Sequence, residues 1–236
     1  MYYVRRKIFI ISAFILIIVL LLTGTYKLMN LRNYQVFGDL TDRVQTDKKV
    51  VALTFDDGPT DNVDKIVPLL DQYNAKATFF LIGSELENNM DFGQKLVEAG
   101  HDIGNHTYSH ERMIFKKMSF IKKEITRTNE LIRQIGYKGE IDFRPPNGKK
   151  LIGLPYYLKE ESIETIMWDL EPDTYYTSSA DKISYVKNNV KPGSILLLHP
   201  MYDEIELQTL EGILKALSEA GYSFTTVNEL QSLNGS

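Results

Sequence analysis

The 236-residue sequence predicts an α/β fold, a distorted (β/α) barrel of about seven parallel strands preceded by one N-terminal transmembrane helix. Three observations predict it. Short apolar runs alternate with helix-spaced segments along the chain, the pattern of a parallel sheet with helices outside it. The first run, Val50-Val51-Ala52-Leu53, contains no polar residue, as a strand buried on both faces requires. Close to the amino terminus, Ile8 to Leu22 is apolar apart from Ser12 and follows the basic cluster Arg5-Arg6-Lys7.

Extended through Thr23-Gly24-Thr25-Tyr26, that run approaches the ~20 residues with which a helix spans a bilayer. The basic cluster stays cytoplasmic, which sends everything after Leu28 outside the cell. A cleaved signal peptide, which would make the protein secreted, is the competing reading. Its apolar core is usually shorter, and Thr23-Gly24-Thr25 is a poor small-x-small cleavage site. Residues 1–29 therefore read as a basic stub and anchor, polar residues 30–47 as a linker, and residues 48–236 as the folded domain.

Within the domain, Asn62 to Tyr73 has helical spacing, with Pro68 expected to kink it or delay its start. Ala77 to Ile82 reads as a second strand closed by Gly83, and Phe92 to Ala99 as a helix stopped by Gly100. His101 to Gly104 is a short third strand. Ser119 reads as the N-cap of a long helix, Ile141 to Arg144 as a fourth strand, and Pro155 to Glu161 as a helix. Thr165 to Trp168, Ser194 to Leu198 and Ser223 to Thr226 complete the strands. Helices at Asp181 to Val190, Glu206 to Ala220 and Val227 to Leu233 separate or follow them.

Composition narrows the chemistry. The net charge of -4 and the lack of a dense basic patch in the domain give nucleic acid no electrostatic footing. Without cysteine there are no disulfides or thiolate ligands, so His, Asp and Glu are the strong metal-ligand candidates. Only four histidines exist, at 101, 106, 110 and 199. His101 starts a strand and reads as structural.

Four expected strands end in polar groups: Asp56-Asp57, His106 with His110, Arg144, and His199. On a barrel such ends converge on one mouth. If Asn105 to His110 turns helically, both imidazoles fall on one face and reach one ion, with a carboxylate completing a facial set. Water on such an ion loses a proton near neutral pH, the pattern of a hydrolytic centre. Surface loop histidines and Asp-Gly turn chemistry are the plainer alternatives for the separate motifs.

Thr54-Phe55-Asp56-Asp57-Gly58, His106-Thr107-Tyr108-Ser109-His110, Phe143-Arg144-Pro145-Pro146-Asn147-Gly148 and Leu196-Leu197-Leu198-His199-Pro200 resemble, in order, the motifs of the polysaccharide deacetylases, the NodB-homology carbohydrate esterases of family 4. The likeness runs over roughly residues 48 to 230. It implies metal-dependent removal of N- or O-acetyl groups from polysaccharide. By resemblance, Asp57, His106 and His110 hold a divalent metal, zinc first, with Co2+, Ni2+ or Mn2+ as alternatives. Asp56 is the base acting on the attacking water, Arg144 orients it, and His199 is the acid. The backbone N–H just after Pro146, together with the metal, would hold the oxyanion.

Two stretches depart from the family pattern. Asn147 stands where an aromatic residue is usual, which makes the sugar-site wall more polar. In place of the usual Asp-x-x-Asp-Trp run stands Trp168-Asp169-Leu170-Glu171-Pro172-Asp173-Thr174-Tyr175, in which Asp173 is the expected partner of His199 and Tyr175 the replacement for the Trp. Trp168 reads first as core and second as a sugar contact. Pro146, Asn147, Trp168, Tyr175 and Leu197 form the expected substrate wall.

The expected substrate is an extracellular acetylated polysaccharide, with peptidoglycan or a related wall glycan favoured because the anchor holds the domain beside it. No protein partner follows from the sequence. A silent carbohydrate binder, an O-acetyl esterase on another glycan, and a small-molecule esterase or phosphoesterase are the competing functions.

Overall fold

Strand and helix alternate through the domain as the apolar periodicity predicts, and the computed structural model describes residues 2–233. Residue 1 of the expected stub and residues 234–236 of the expected domain lie outside the described residues. In chain order the elements are α1 (Tyr2–Asn30), β1 (Leu40–Thr41), β2 (Val50–Asp56), α2 (Val63–Gln72), β3 (Thr78–Leu81), α3 (Gly83–Asn88), α4 (Met90–Glu98), β4 (Asp102–Asn105) and α5 (Met118–Gln134). A 3-10 turn at Pro146–Gly148 precedes α6 (Gly153–Glu160), β5 (Thr165–Ile166), α7 (Ser179–Asn189), β6 (Ile195–Leu198), α8 (Glu204–Glu219), β7 (Ser223–Thr225) and α9 (Val227–Gln231).

All ladders are parallel. The larger sheet runs β4-β3-β2-β6, with β7 also paired to β2, and the smaller is β1-β5. Single bridges at Asn105–Phe143, Phe143–Thr165 and Leu170–Leu196 carry the pairing onward between them, which gives the distorted barrel. All of β2 is buried, and its side chains alternate. Val51, Leu53 and Phe55 pack outward in the large cluster with α2 and α8 residues, whereas Val50 and Ala52 join Phe80, Trp168, Ile195 and Leu197 in the interior. Asp56 shares the parity of the interior residues, so its carboxylate sits over that inner layer at the strand's C-terminal end.

Several expectations give way to local chemistry. Ile141 to Arg144 is not a regular strand: Phe143 alone bridges β4 and β5, because Pro145 and Pro146 have no N–H with which to continue a ladder. The strand expected at Thr165 to Trp168 ends at Ile166. α5 starts at Met118 with Lys117, not Ser119, at its N-cap, and Ile121 N already donates to Lys117 O at 3.1 Å. α2 runs through Pro68, which is exposed, so water can take the carbonyl that its missing N–H leaves free. Within the expected linker, Leu40↔Thr165 and Thr41↔Ile166 pair as strands, Arg43 bridges Ser194, and Val44 is buried, so part of the segment packs into the domain.

α1 is long and apolar enough to cross a membrane, and none of its residues is buried.

Candidate active site

The C-terminal ends of β2, β4 and β6 and the turn after Phe143 surround a cleft of about 440 Å3 lined by both aspartates, His106, His110, Asn147, Trp168, Leu197 and His199. A larger cavity of about 550 Å3 beside Asp142 and Glu164 shares no lining residue with it.

Asp56 is buried at the end of β2. Arg144, fully buried, donates from Nη1 to Asp56 Oδ1 at 2.7 Å and to Thr54 Oγ1 at 2.8 Å. Its Nε and Nη2 donate to the carbonyls of Ile166 and Met167, both at 3.1 Å. The guanidinium is therefore shared between the carboxylate, which it meets through one nitrogen, and the edge of β5. Burial opposes the Asp56 charge, but Arg144, His106 and His199 more than offset it and hold the carboxyl below its ordinary range.

Asp57 follows with φ of 74°, a left-handed conformation that costs a non-glycine residue on the order of 1–3 kcal/mol and is found where function over-determines the backbone. Its Oδ1 is buried without a hydrogen-bond partner. It lies 3.8 Å from His106 Nε2 and 3.4 Å from His110 Nε2.

The two imidazoles meet without a helix. After β4, residues 106–110 form a loop with left-handed Thr107 and His110, and the rings lie 5.0 Å apart. Asn105 Oδ1 accepts from Thr107 N, and Thr107 Oγ1 accepts from His110 N. Glu124 Oε2 from α5 accepts from Tyr108 N, Ser109 N and Ser109 Oγ at 2.8–3.1 Å.

These residues fit a cation. His106 Nδ1 is 2.8 Å from Arg144 O, a carbonyl that can only accept, so Nδ1 carries the proton and Nε2 presents a lone pair. Burial keeps His106 below its ordinary pKa, against the pull of Asp56 and Asp57. That lone pair faces Asp56 Oδ2 at 3.6 Å and Asp57 Oδ1 at 3.8 Å. Three electron-rich atoms thus converge with no proton between them, and among the described residues Asp57, His106 and His110 are the group whose ligand atoms all lie within 4.8 Å of one another.

Across the cleft, His199 Nδ1 is 2.9 Å from Asp173 Oδ2. Burial works against charging His199, but the Asp173 hydrogen bond, helped by Asp56 and Asp57, raises its pKa to about 9. Lys182 from α7, which the sequence did not single out, is buried and pairs with Asp173 at 2.9 Å and Glu206 at 2.5 Å. Trp168 is buried, with Nε1 donating to Glu171 Oε2 at 3.1 Å, and it lines the cleft from the inner layer.

Pro146 is buried in the 3-10 turn behind the wall. Asn147, left-handed at φ of 55°, faces the cleft, and its N–H donates to no backbone carbonyl among the described residues. Tyr175 is not brought to the cleft: it is exposed and stacks toward Tyr185 at 5.9 Å, because the turn after Pro172 points it outward. Arg32, Lys149, Glu171 and Thr174 also line the cleft, and sequence reasoning did not single them out as site residues. His101 is buried against β3, where Ala77 N donates to its Nδ1; burial, with Lys76 nearby, lowers its pKa to about 4 and keeps it neutral, as a structural residue requires.

Residues 43–162 match the sequence pattern of the family described as polysaccharide deacetylase. The chain belongs to that family. It is 32% identical over 199 residues to a peptidoglycan-N-acetylglucosamine deacetylase of Bacillus cereus, covering 82% of this chain and 93% of the relative. It is also 32% identical to a bifunctional xylanase/deacetylase of Pseudobutyrivibrio xylanivorans, where the match covers 80% of this chain but spans only 31% of the relative's length. Among solved structures, a CE4 family pseudoenzyme from Bacillus anthracis is 26% identical with a TM-score of 0.76, covering 84% of this chain and 70% of that one. Family membership accounts for the fold, while the pseudoenzyme neighbour means that the scaffold alone does not establish turnover.

Proposed function

We propose that the chain is a metal-dependent hydrolase that removes acetyl groups from N-acetylated cell-wall polysaccharide, peptidoglycan favoured, while α1 anchors it with the domain outside the cell. One observation carries the reading. Of two adjacent carboxylates, one is reserved by Arg144 and the other points unpartnered at two imidazole nitrogens, so a cation site and a free base stand side by side. A binder has no need of that division.

Asp57, His106 and His110 would hold the divalent cation, zinc in the first instance with Co2+, Ni2+ or Mn2+ as alternatives. When bound, the cation supplies Lewis-acid polarisation of the acetyl carbonyl and lowers the pKa of water. Asp56, kept ionised by Arg144, takes the proton from water as its oxygen bonds to the acetyl carbon. The Asn147 N–H is available to the oxygen that gathers charge. His199 donates its proton to the departing amine as the carbon–nitrogen bond breaks. Asp173, held by Lys182, fixes the imidazole's orientation and keeps it charged. Trp168, Leu197, Asn147 and the buried Pro146 shape the sugar-facing wall.

The likeness to a pseudoenzyme favours a second reading, a silent carbohydrate binder on the same fold. Acetate release by the full chain in nonionic detergent, from peptidoglycan, chitooligosaccharide and acetylated xylan, separates them. Release from peptidoglycan, abolished by chelator and restored by zinc, is expected. Release that ignores chelation would remove the metal from the mechanism. No release from any glycan would leave the binder, and release from xylan alone would make this an O-acetyl esterase.

A further inference from the structure

One wall of the cleft gathers three cations from three separate segments. Arg32, just beyond α1, lines the cleft with its guanidinium carbon 4.9 Å from the centroid of the Trp168 ring. Lys149, after the 3-10 turn, lines it too, and Arg112 Nε donates to Asn147 Oδ1 at 2.9 Å on the rim. Partial burial disfavours the charge on Lys149, and the nearby Arg112 and Arg32 add to that effect. A single carboxylate, Glu171, answers them. It accepts from Arg32 Nη2 at 2.7 Å while also accepting from Trp168 and Thr174. Among the described residues no carboxylate pairs with Lys149 or Arg112; Lys149 Nζ donates to the neutral Asn30 Oδ1. The wall is therefore positively charged, with Glu171 as its one carboxylate partner among the described residues. It stands where the family resemblance leads one to expect an aromatic residue, since Asn147 there carries Arg112 into the rim.

We propose that Lys149 and Arg112, backed by Arg32, form an anion-recognising subsite of the cleft, which selects glycans carrying a carboxylate or phosphate near the scissile acetamide. The proposal rests on the deacetylase reading for the identity of the neighbouring group, but its physics is independent of turnover. An anion seated between Lys149 and Arg112 relieves the repulsion between them and makes charge-assisted hydrogen bonds in a partly desolvated setting. A neutral oligosaccharide gains neither. The Asn147 side-chain oxygen, already holding Arg112 in place, limits the reorganisation that binding requires.

Trp168 is the only tryptophan in the sequence and lies beneath Arg32, so its fluorescence reports occupancy without any reaction. The full chain in nonionic detergent is titrated at low salt with three tetrasaccharides. These are neutral N-acetylglucosamine tetramer, a peptide-free glycan bearing free muramyl carboxylates, and the neutral tetramer bearing one phosphate. At least one anionic tetramer should bind about tenfold more tightly than the neutral one, and the tighter of the two names the anion. Lys149→Gln and Arg112→Gln should each reduce that preference and Lys149→Arg should restore it, and rising salt should erase it. In turnover, the preference should appear in KM more than in kcat. Equal binding of all three sugars, or a preference untouched in both glutamine variants, would overturn the subsite. Acetate release without any anionic preference removes the subsite alone; the preference without acetate release keeps the subsite and removes the deacetylase reading.

Discussion

At the scale of single residues, the site depends on how two consecutive aspartates come to face one cleft. Alternation along β2 would send Asp57 away from the mouth, and the left-handed turn at Asp57 brings its carboxylate back. The two then differ by their partners, Arg144 for Asp56 and the imidazoles for Asp57. Asp56→Asn should retain bound zinc in elemental analysis and lose acetate release by 100-fold or more, about the worth of a positioned base. His110→Ala should lose both metal and activity; full zinc content in that variant would exclude His110 as a ligand. The pH dependence follows from the other side of the cleft. Asp56, held low, remains ionised well into acid, and His199 remains charged until the pH rises through about 9, so activity should fall on the alkaline side. A bound cation draws that limb downward, but equally in a variant that keeps it. Asp173→Asn removes a charge that raises the His199 pKa, so its alkaline limb should move to lower pH by roughly one to three units in a kcat/KM profile. An unmoved limb would mean that Asp173 only packs there. The candidate ligand and acid-base residues were legible because histidines are few, and His106, His110 and His199 lie just past expected strand ends. Glu124 was not, because a buried charge on a helix otherwise rich in Lys, Arg and Glu looks like the rest of a solvated face, and Lys182 was not, because nothing in the polar helix α7 marks which of its residues turns inward.

At the scale of elements, apolar runs marked β2, β3 and β6 because parallel strands buried on both faces leave no polar alternation to misread, while the short β4 and β7 were marked by their place between helices closed by Gly100 and Gly221 and the segments that follow. β1 escaped notice. Two residues in a polar segment carry no periodicity, and only their pairing with β5 makes them a strand. The helical turn considered for Asn105 to His110 does not form for a related reason: Asn105 and Thr107 side chains satisfy the loop's backbone locally and offer it an alternative to helix. α5 supplies the remaining support through Glu124, which accepts three hydrogen bonds from residues between the two histidines. Glu124→Ala strands those donors and frees the loop, so zinc affinity should fall tenfold or more, within the range typical of groups that support metal ligands. Competition against a chromophoric chelator measures this. An affinity equal to that of the unaltered protein would confine Glu124 to holding α5 in place.

At the scale of the whole molecule, the site exists only once the barrel has formed, since Asp57, His106 and His110 come from two strand ends, Asp173 from the loop after β5 and His199 from the end of β6. The convergence could be anticipated from topology, because strands of a parallel barrel deliver their C-terminal ends to one mouth. The contribution of Arg32 could not, since nothing in a polar stretch after an apolar helix says that it returns to a cleft wall more than a hundred residues away. A ligand set assembled only in the folded state makes metal binding a stabilising term. The unfolded chain does not hold Asp57 near the histidines, so the cation favours the native protein by RT ln(1 + [L]/Kd). With free zinc at about 100 times Kd this amounts to about 2.7 kcal/mol. For a domain of this size each kcal/mol raises the midpoint of thermal unfolding by about 2–4 °C. The full chain in nonionic detergent should therefore melt several degrees higher with zinc than with chelator, and His110→Ala should abolish the difference while Asp56→Asn keeps it. A zinc-dependent shift of equal size in all three proteins would locate the stabilising ion away from Asp57, His106 and His110 and detach the cleft from the metal.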